Sequence, residues 1–194
     1  MKRVCVFCGS ATGARAGYAQ AARSLAAELA RRGIGVVYGG GSVGLMGVLA
    51  DAALAAGVEV IGVIPRALAL RELAHGALSE LRVVESMHER KAQMAALADA
   101  FVVLPGGVGT LEETFEVLSW AQLGIHGKPI GALDVHGYWD ALKHFLAHTV
   151  REGFVRPEYL ELIQFADTPA ALIDGLSAWR PPAFVRPWLT PSQA

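Results

Sequence analysis

The sequence predicts an α/β fold, a doubly wound and mostly parallel sheet of about six to seven strands with helices on both faces. Short, wholly apolar runs such as Ala100–Leu104 read as strands buried on both faces of a parallel sheet. These runs alternate with alanine- and leucine-rich stretches of helical length, the pattern of repeated strand–helix units. Glycine-rich turns follow several strands, at the carboxyl ends where doubly wound sheets bind their ligands. A chain of 194 residues fits one domain, expected over residues 1–180, with a proline-rich tail over 181–194 that reads as an extended arm or disordered.

Taken in order, Arg3–Cys8 is the first strand, and Gly9–Gly13 is a turn of small residues. Tyr18–Arg32 is an alanine-rich helix closed by Gly33. Gly35–Tyr38 is a short second strand running into the loop Gly39–Gly47, followed by a helix ending near Gly57. Val58–Ile64 is a third strand stopped by Pro65, and Arg66–Glu80 is irregular or weakly helical. Leu81–Val84 is a fourth strand, with a helix over Met87–Ala98. The fifth strand, Ala100–Leu104, feeds Pro105–Glu113, and a helix is expected over Thr114–Leu123. Pro129–Leu133 is a sixth strand with a helix over Tyr138–Glu152 behind it. Leu162–Phe165 is an edge strand and Pro169–Trp179 a closing helix.

Composition narrows the function classes. A net charge of −1 gives no electrostatic case for binding nucleic acid or an acidic membrane. The apolar runs are too short to span a bilayer, and the N-terminus reads as a strand rather than a signal peptide, so a cytoplasmic location is expected. Cys5 and Cys8 have the C-x-x-C spacing, but both fall in a strand run, where positions three apart face opposite ways. They read as buried small residues. No second Cys or Cys/His pair accompanies them to make a zinc site. His144 and His148 lack a third ligand and read as a solvated helix face.

The segments that carry chemistry are glycine-rich or charged. Leu104-Pro-Gly-Gly-Val-Gly-Thr-Leu-Glu-Glu113 joins a strand to a helix through three glycines, which lets backbone N–H groups close on an anion. It is not a nucleoside-triphosphatase loop, because no Lys-Ser or Lys-Thr closes it. Gly39-x-Gly41-x-x-Gly44 matches the dinucleotide fingerprint in form, yet it follows the second strand, and no acidic residue ends the next one. Tight turns for close packing and a mononucleotide site shared with the Gly106 loop both account for it. In Glu85-Ser-Met-His-Glu-Arg-Lys91, Ser86 and Glu89 have the spacing of a capping box. Arg90 and Lys91 then sit in a first helical turn, where the macrodipole disfavours cations, so an anion is expected to offset them. A solvated pair, or a bridge to Glu85 or Glu89, is the alternative. Thr110 and Glu113 also have capping-box spacing, so Glu113 is either a helix cap or a carboxylate beside the phosphate cradle. Glu112 is expected to face water.

Two of these segments together resemble a known family. Met87-His-Glu-Arg-Lys91 and Pro105-Gly-Gly-Val-Gly-Thr-Leu-Glu-Glu113 are similar to the paired MHxRK and PGGxGTxxE signatures of the Lonely Guy (LOG) family, the cytokinin riboside 5′-monophosphate phosphoribohydrolases. Val6-Phe-Cys-Gly-Ser10 and the Gly39–Gly47 loop are similar too and in the same order, so the resemblance runs from residue 4 to about residue 165. It implies a Rossmann-like domain that hydrolyses the N-glycosidic bond of an N6-modified adenosine 5′-monophosphate, or of AMP, to free base and ribose 5-phosphate. It implies Arg90 and Glu113 as the catalytic pair. Gly106, Gly107, Gly109 and Thr110 would hold the 5′-phosphate, with Ser10, Gly41, Met87 and Lys91 as further contacts. No metal or cofactor is implied. Some members are called lysine decarboxylases, but nothing here suggests a pyridoxal phosphate site. The resemblance also implies a homodimer with sites near the subunit interface. The apolar Phe115, Val117, Leu118, Trp120 and Leu123 fit a helix buried in the core or against a partner. The rival readings are a mononucleotide-binding module without catalysis and a dinucleotide-dependent oxidoreductase.

Overall fold

The inner strands form where apolar runs leave no polar face to expose, and the two edge strands are part-exposed. The strands are β1 (Arg3–Phe7), β2 (Gly35–Tyr38), β3 (Val60–Pro65), β4 (Glu80–Val84), β5 (Ala100–Val103), β6 (Ile130–Leu133) and β7 (Ile163–Ala166). The computed structural model describes residues 1–69 and 74–182, so most of the expected proline-rich tail lies outside the described residues. All seven strands belong to one sheet in the order β4-β3-β2-β1-β5-β6-β7, and every pairing is parallel. The chain winds outward from β1 to β4, then returns to β5 on the other side of β1. The order therefore reverses between β1 and β5, and their carboxyl ends open the crevice where such sheets take ligands.

The helices are α1 (Ala16–Arg32), α2 (Gly44–Ala55), a single turn α3 (Arg66–Ala69), α4 (Met87–Leu97), α5 (Val108–Gln122), α6 (Asp140–Arg151) and α7 (Pro169–Ala178). On one face of the sheet, Leu25 and Leu29 of α1, Leu49 of α2 and Ile173 of α7 pack on Val4, Val36 and Val102. On the other, Met94 of α4 and Val117 of α5 join Trp139 and Leu162 over Cys5, Val37 and Phe101. Alternate residues of β1 and β5 thus serve opposite cores, as the two-residue period of a strand requires. Cys5 and Cys8 fall in opposite clusters and both are free, in line with the reading as buried small residues. Burial pushes both thiols up, Cys5 well above its ordinary value, so neither is poised as a thiolate. No described helix is long and apolar enough to cross a membrane.

The largest departure from the sequence reading concerns α5. It starts at Val108, inside the glycine-rich motif, rather than at Thr114. A helix's first N–H groups have no intrahelical acceptor in any case, so a glycine at the second position sacrifices little there. Gly107 is the N-cap, without a side-chain cap. Thr110 lies inside the helix, so the expected Thr110–Glu113 capping box does not form. The Ser86 cap does form, its hydroxyl accepting from Glu89 N at 3.1 Å, while Glu89 reaches back to Glu85 N at 2.9 Å.

Gly44 and Gly47 of the Gly39–Gly47 loop are required by packing within the chain. A Cβ at Gly44 (φ +61°) would fall 2.2 Å from the Ser10 carbonyl carbon, and one at Gly47 the same distance from the Ser42 carbonyl oxygen. Close approach at Gly44 lets Leu45 N donate to Gly9 O at 3.0 Å, tying the turn after β1 to the start of α2. Gly44→Ala combines a backbone clash with left-handed strain and is expected to destabilise the fold by at least about 2 kcal/mol in urea unfolding.

Candidate active site

The crevice between β1 and β5 is bounded by Gly9–Gly13 on one side and Pro105–Gly107 on the other. It encloses about 290 Å³, with Tyr18, Leu45 and Tyr138 completing its walls. Ser10 is exposed on its rim. Gly9 N donates to Pro105 O at 3.1 Å, which fixes the spacing of the two loops. Gly106 must be glycine because a Cβ there would meet Thr110 Oγ1 at 2.1 Å and Gly9 N at 2.9 Å. Gly107 and Gly109 are different. Both are exposed, and a Cβ on either would meet nothing within 4 Å. α5 has no side-chain cap and open space beside both glycines, an arrangement suited to binding an anion at the positive end of a helix.

Glu113 lies one turn beyond Gly109 on the same face of α5, since residues four apart align. It is only 9% exposed, and its carboxylate is 3.5 Å from Nη1 of Arg90. Removal from water pushes its pKa from the ordinary 4.5 up to about 7. Arg90 opposes that shift, while Glu112 adds to it. Arg90 comes from the first turn of α4 and is held from behind. Its Nε donates to Val63 O at 3.1 Å and its Nη2 to Gly39 O at 3.3 Å, at the carboxyl ends of β3 and β2. The Met87 sulfur lies 3.8 Å from Nη1, and Met87 is itself exposed. A Cβ at Gly39 would stand 1.9 Å from Nη2. The first glycine of the apparent dinucleotide fingerprint thus leaves room for the guanidinium, and packing accounts for the first and last glycines of the motif.

The anion expected to offset Arg90 and Lys91 is supplied by the protein itself. Lys91 Nζ lies 2.6 Å from Glu112 and 2.9 Å from Glu116, so Glu112 does not simply face water. Desolvation lowers the Lys91 pKa and the two carboxylates raise it, with a net upward result. These bonds hold α4 against α5 and bring Arg90 to Glu113. Gly41 is buried, with its carbonyl accepting from Tyr38 Oη at 3.1 Å. Arg90 and Glu113 thus form one cluster, with Met87 beside it. Ser10, Gly106, Gly107, Gly109 and Thr110 form another at the mouth of α5. The side chain of Lys91 and the carbonyl of Gly41 are engaged within the protein.

Sequence reasoning missed Tyr138, whose hydroxyl donates to Gly106 O at 2.5 Å. The signal was available: Val135-His-Gly-Tyr138 follows β6 at the same carboxyl edge as the other loops. The described residues hold no cluster of three or more His, Cys, Asp or Glu side chains arranged for a metal. His126, half-buried, accepts from Lys128 N on Nδ1 and lies 2.9 Å from Val117 O through Nε2, and burial pushes its pKa down to about 4. It is a neutral structural group.

Comparisons with known proteins bear on the family and the fold. A family model described as "Possible lysine decarboxylase" matches residues 46–176. A probable cytokinin riboside 5′-monophosphate phosphoribohydrolase of Oryza sativa subsp. japonica is 51% identical over 180 residues, spanning 93% of this chain and 74% of that protein. A cytokinin riboside 5′-monophosphate phosphoribohydrolase of Arabidopsis thaliana is 49% identical over 180 residues, covering 93% and 84%. Among solved structures, the molybdenum cofactor binding protein from Rippkaea orientalis superposes with a TM-score of 0.70 over 92% of this chain and 97% of its own. At 20% identity that likeness speaks for the fold alone. With half of its residues shared across nearly its whole length, and both signature motifs in place, the chain belongs to the LOG family of phosphoribohydrolases.

Proposed function

We propose that this protein hydrolyses the N-glycosidic bond of cytokinin riboside 5′-monophosphates, and of AMP, releasing the free base and ribose 5-phosphate. The observation that carries the reading is the pairing of an open, uncapped helix N-terminus with a buried Arg90–Glu113 couple one turn further along. The first holds a 5′-phosphate through Gly106, Gly107, Gly109 and Thr110, with Ser10 on the facing loop. The second then meets the ribose and the base, with Met87 at its edge.

Cleavage of this bond leaves positive charge on the ribose near C1′ and sends the bonding pair to the base. Glu113, when ionised, stabilises that cation and takes a proton from the water that adds to C1′. Arg90 offsets the negative charge of the departing base, which gains its proton from solvent. A carboxylate with a pKa of about 7 suits a base that must be ionised near neutrality yet able to accept a proton. Lys91, engaged with Glu112 and Glu116, braces the two helices. We also infer a homodimer. The family resemblance implies one. In support, an apolar groove of about 760 Å³ lies between α4 and α5, lined by Ala92, Ala95, Trp120 and Ile125.

An electrostatic contribution of about 3–4 kcal/mol per group means that Glu113→Gln or Arg90→Ala lowers turnover roughly 100-fold or more with the fold intact. Near-normal turnover in either purified variant would overturn the assignment. The pH profile gives a second check. The acid limb of kcat/KM is expected near pH 7 and should be missing from the residual activity of Glu113→Gln. Stability runs the other way. The native carboxyl keeps its proton to about pH 7, whereas the unfolded one releases it near 4.5, so stability from this group is full below 4.5 and is lost as pH rises through 7. Glutamine mimics the protonated form. Glu113→Gln should therefore exceed the wild type by on the order of 2 kcal/mol in urea unfolding at pH 8, with a smaller gap at pH 5.5.

A further inference from the structure

Tyr138 is delivered to the cradle by an unusually constrained turn. Val135-His-Gly-Tyr138 closes with Tyr138 N donating to Val135 O at 3.2 Å, and both central residues are left-handed, His136 at φ 57° and Gly137 at φ 68°. Among the described residues His136 is the one non-glycine with positive φ. A side chain in that conformation is strained and persists only where its surroundings over-determine it. Here they do. The His136 ring lies against α1 in space that exists because residue 17 is glycine, where a Cβ would fall 2.2 Å from the ring's Nε2. It also meets the edge of Tyr18 at 6.2 Å. The next residue, Trp139, is 2% exposed and donates from its backbone N to Asp134 at 3.2 Å and from its indole N–H to Leu133 O at 3.1 Å. Asp134 is in turn paired with Lys143. Between these anchors the Tyr138 ring stands edge-on to Tyr18 at 5.6 Å and to Trp139 at 4.8 Å.

The contact so prepared acts on one peptide unit. In a trans peptide the carbonyl and the following N–H point to opposite sides. The Pro105 carbonyl is held by Gly9 N at 3.1 Å, which turns the Gly106 N–H away from the Gly9 loop. The Gly106 carbonyl is held by the Tyr138 hydroxyl at 2.5 Å, which turns the Gly107 N–H away from the tyrosine. Consecutive carbonyls of the motif are thus pinned by other elements. Without the second pin, the peptide between two glycines would be less restrained against rotation, since neither residue carries a Cβ.

We propose that Tyr138 is a positioning residue for the phosphate cradle. By holding the Gly106 carbonyl it aims the Gly107 N–H at the 5′-phosphate. Its hydroxyl serves the loop rather than the substrate, and the strained turn at His136 exists to place it. The proposal rests on the reading of residues 106–110 as the phosphate site, and the test separates the two.

Tyr138→Phe keeps the ring contacts, and the residue is 38% exposed, so the variant retains its fold, as a thermal melt will verify. Binding of inorganic phosphate, followed by calorimetry, should weaken about five- to tenfold in Tyr138→Phe, the scale of one hydrogen bond. With nucleotide substrate the loss should appear in KM more than in kcat, and the preference for a 5′-monophosphate over its nucleoside should fall by the same factor. A purely structural role would move the melting temperature without moving that preference. Phosphate affinity within twofold of the wild type would overturn the role of Tyr138. A wild-type protein that binds no phosphate would overturn the cradle reading itself.

Discussion

The guanidinium of Arg90 is where the separate parts of this molecule meet. Strand-end carbonyls of β2 and β3 hold it from behind, and Glu113 of α5 faces it. Each of those contacts makes a demand elsewhere. Gly39 has no side chain because the guanidinium fills that space. Lys91, next in sequence, must reach across to Glu112 and Glu116 so that α4 lies close enough to α5. The crossover order of the sheet brings the ends of β2, β3 and β5 to one edge, and the helices that follow them inherit that placement. Packing, charge pairing and topology therefore converge on a single cation in the first turn of a helix, where an isolated helix would not favour it.

That arrangement stores a tension in Glu113. Burial opposes its charge and Arg90 supports it, and the balance leaves the carboxyl titrating near neutrality rather than in the ordinary range. A fold optimised for stability alone would place a neutral side chain there. The N-terminus of α5 shows a related economy. α5 leaves its N-terminus without a side-chain cap, so the first N–H groups remain available to an anion. Both features are local costs to stability, and under the proposed function they are the two halves of one site.

Much of this was legible in the sequence, and the reasons are physical. Strands buried on both faces leave continuous apolar runs, so the α/β alternation and the position of the crevice could be read directly. The Ser86 cap could be read because it uses a bond between neighbours in sequence. Other features depend on groups far apart along the chain. The start of α5 was misplaced because Gly107-Val-Gly109 looks like loop, and only the open end of a helix tolerates that composition. The partners of Arg90 and Lys91 lie on distant strands and on α5, so a local argument sought the compensating anion in a ligand. The glycines at 39 and 44 look alike in sequence but are required by a guanidinium and by a backbone carbonyl, a distinction only packing reveals. Tyr138 was missed because its function is exerted on the peptide of another loop.

The central claim is that an anion-binding helix end and the Arg90–Glu113 couple act on one substrate. It is tested most directly by chromatography of products after incubating the purified protein with isopentenyladenosine 5′-monophosphate, with AMP, and with the matching nucleosides. The account predicts free base and ribose 5-phosphate in equal amounts from the monophosphates and little or no base from the nucleosides. Binding of the nucleotides without release of base, or equal cleavage with and without the 5′-phosphate, would contradict it.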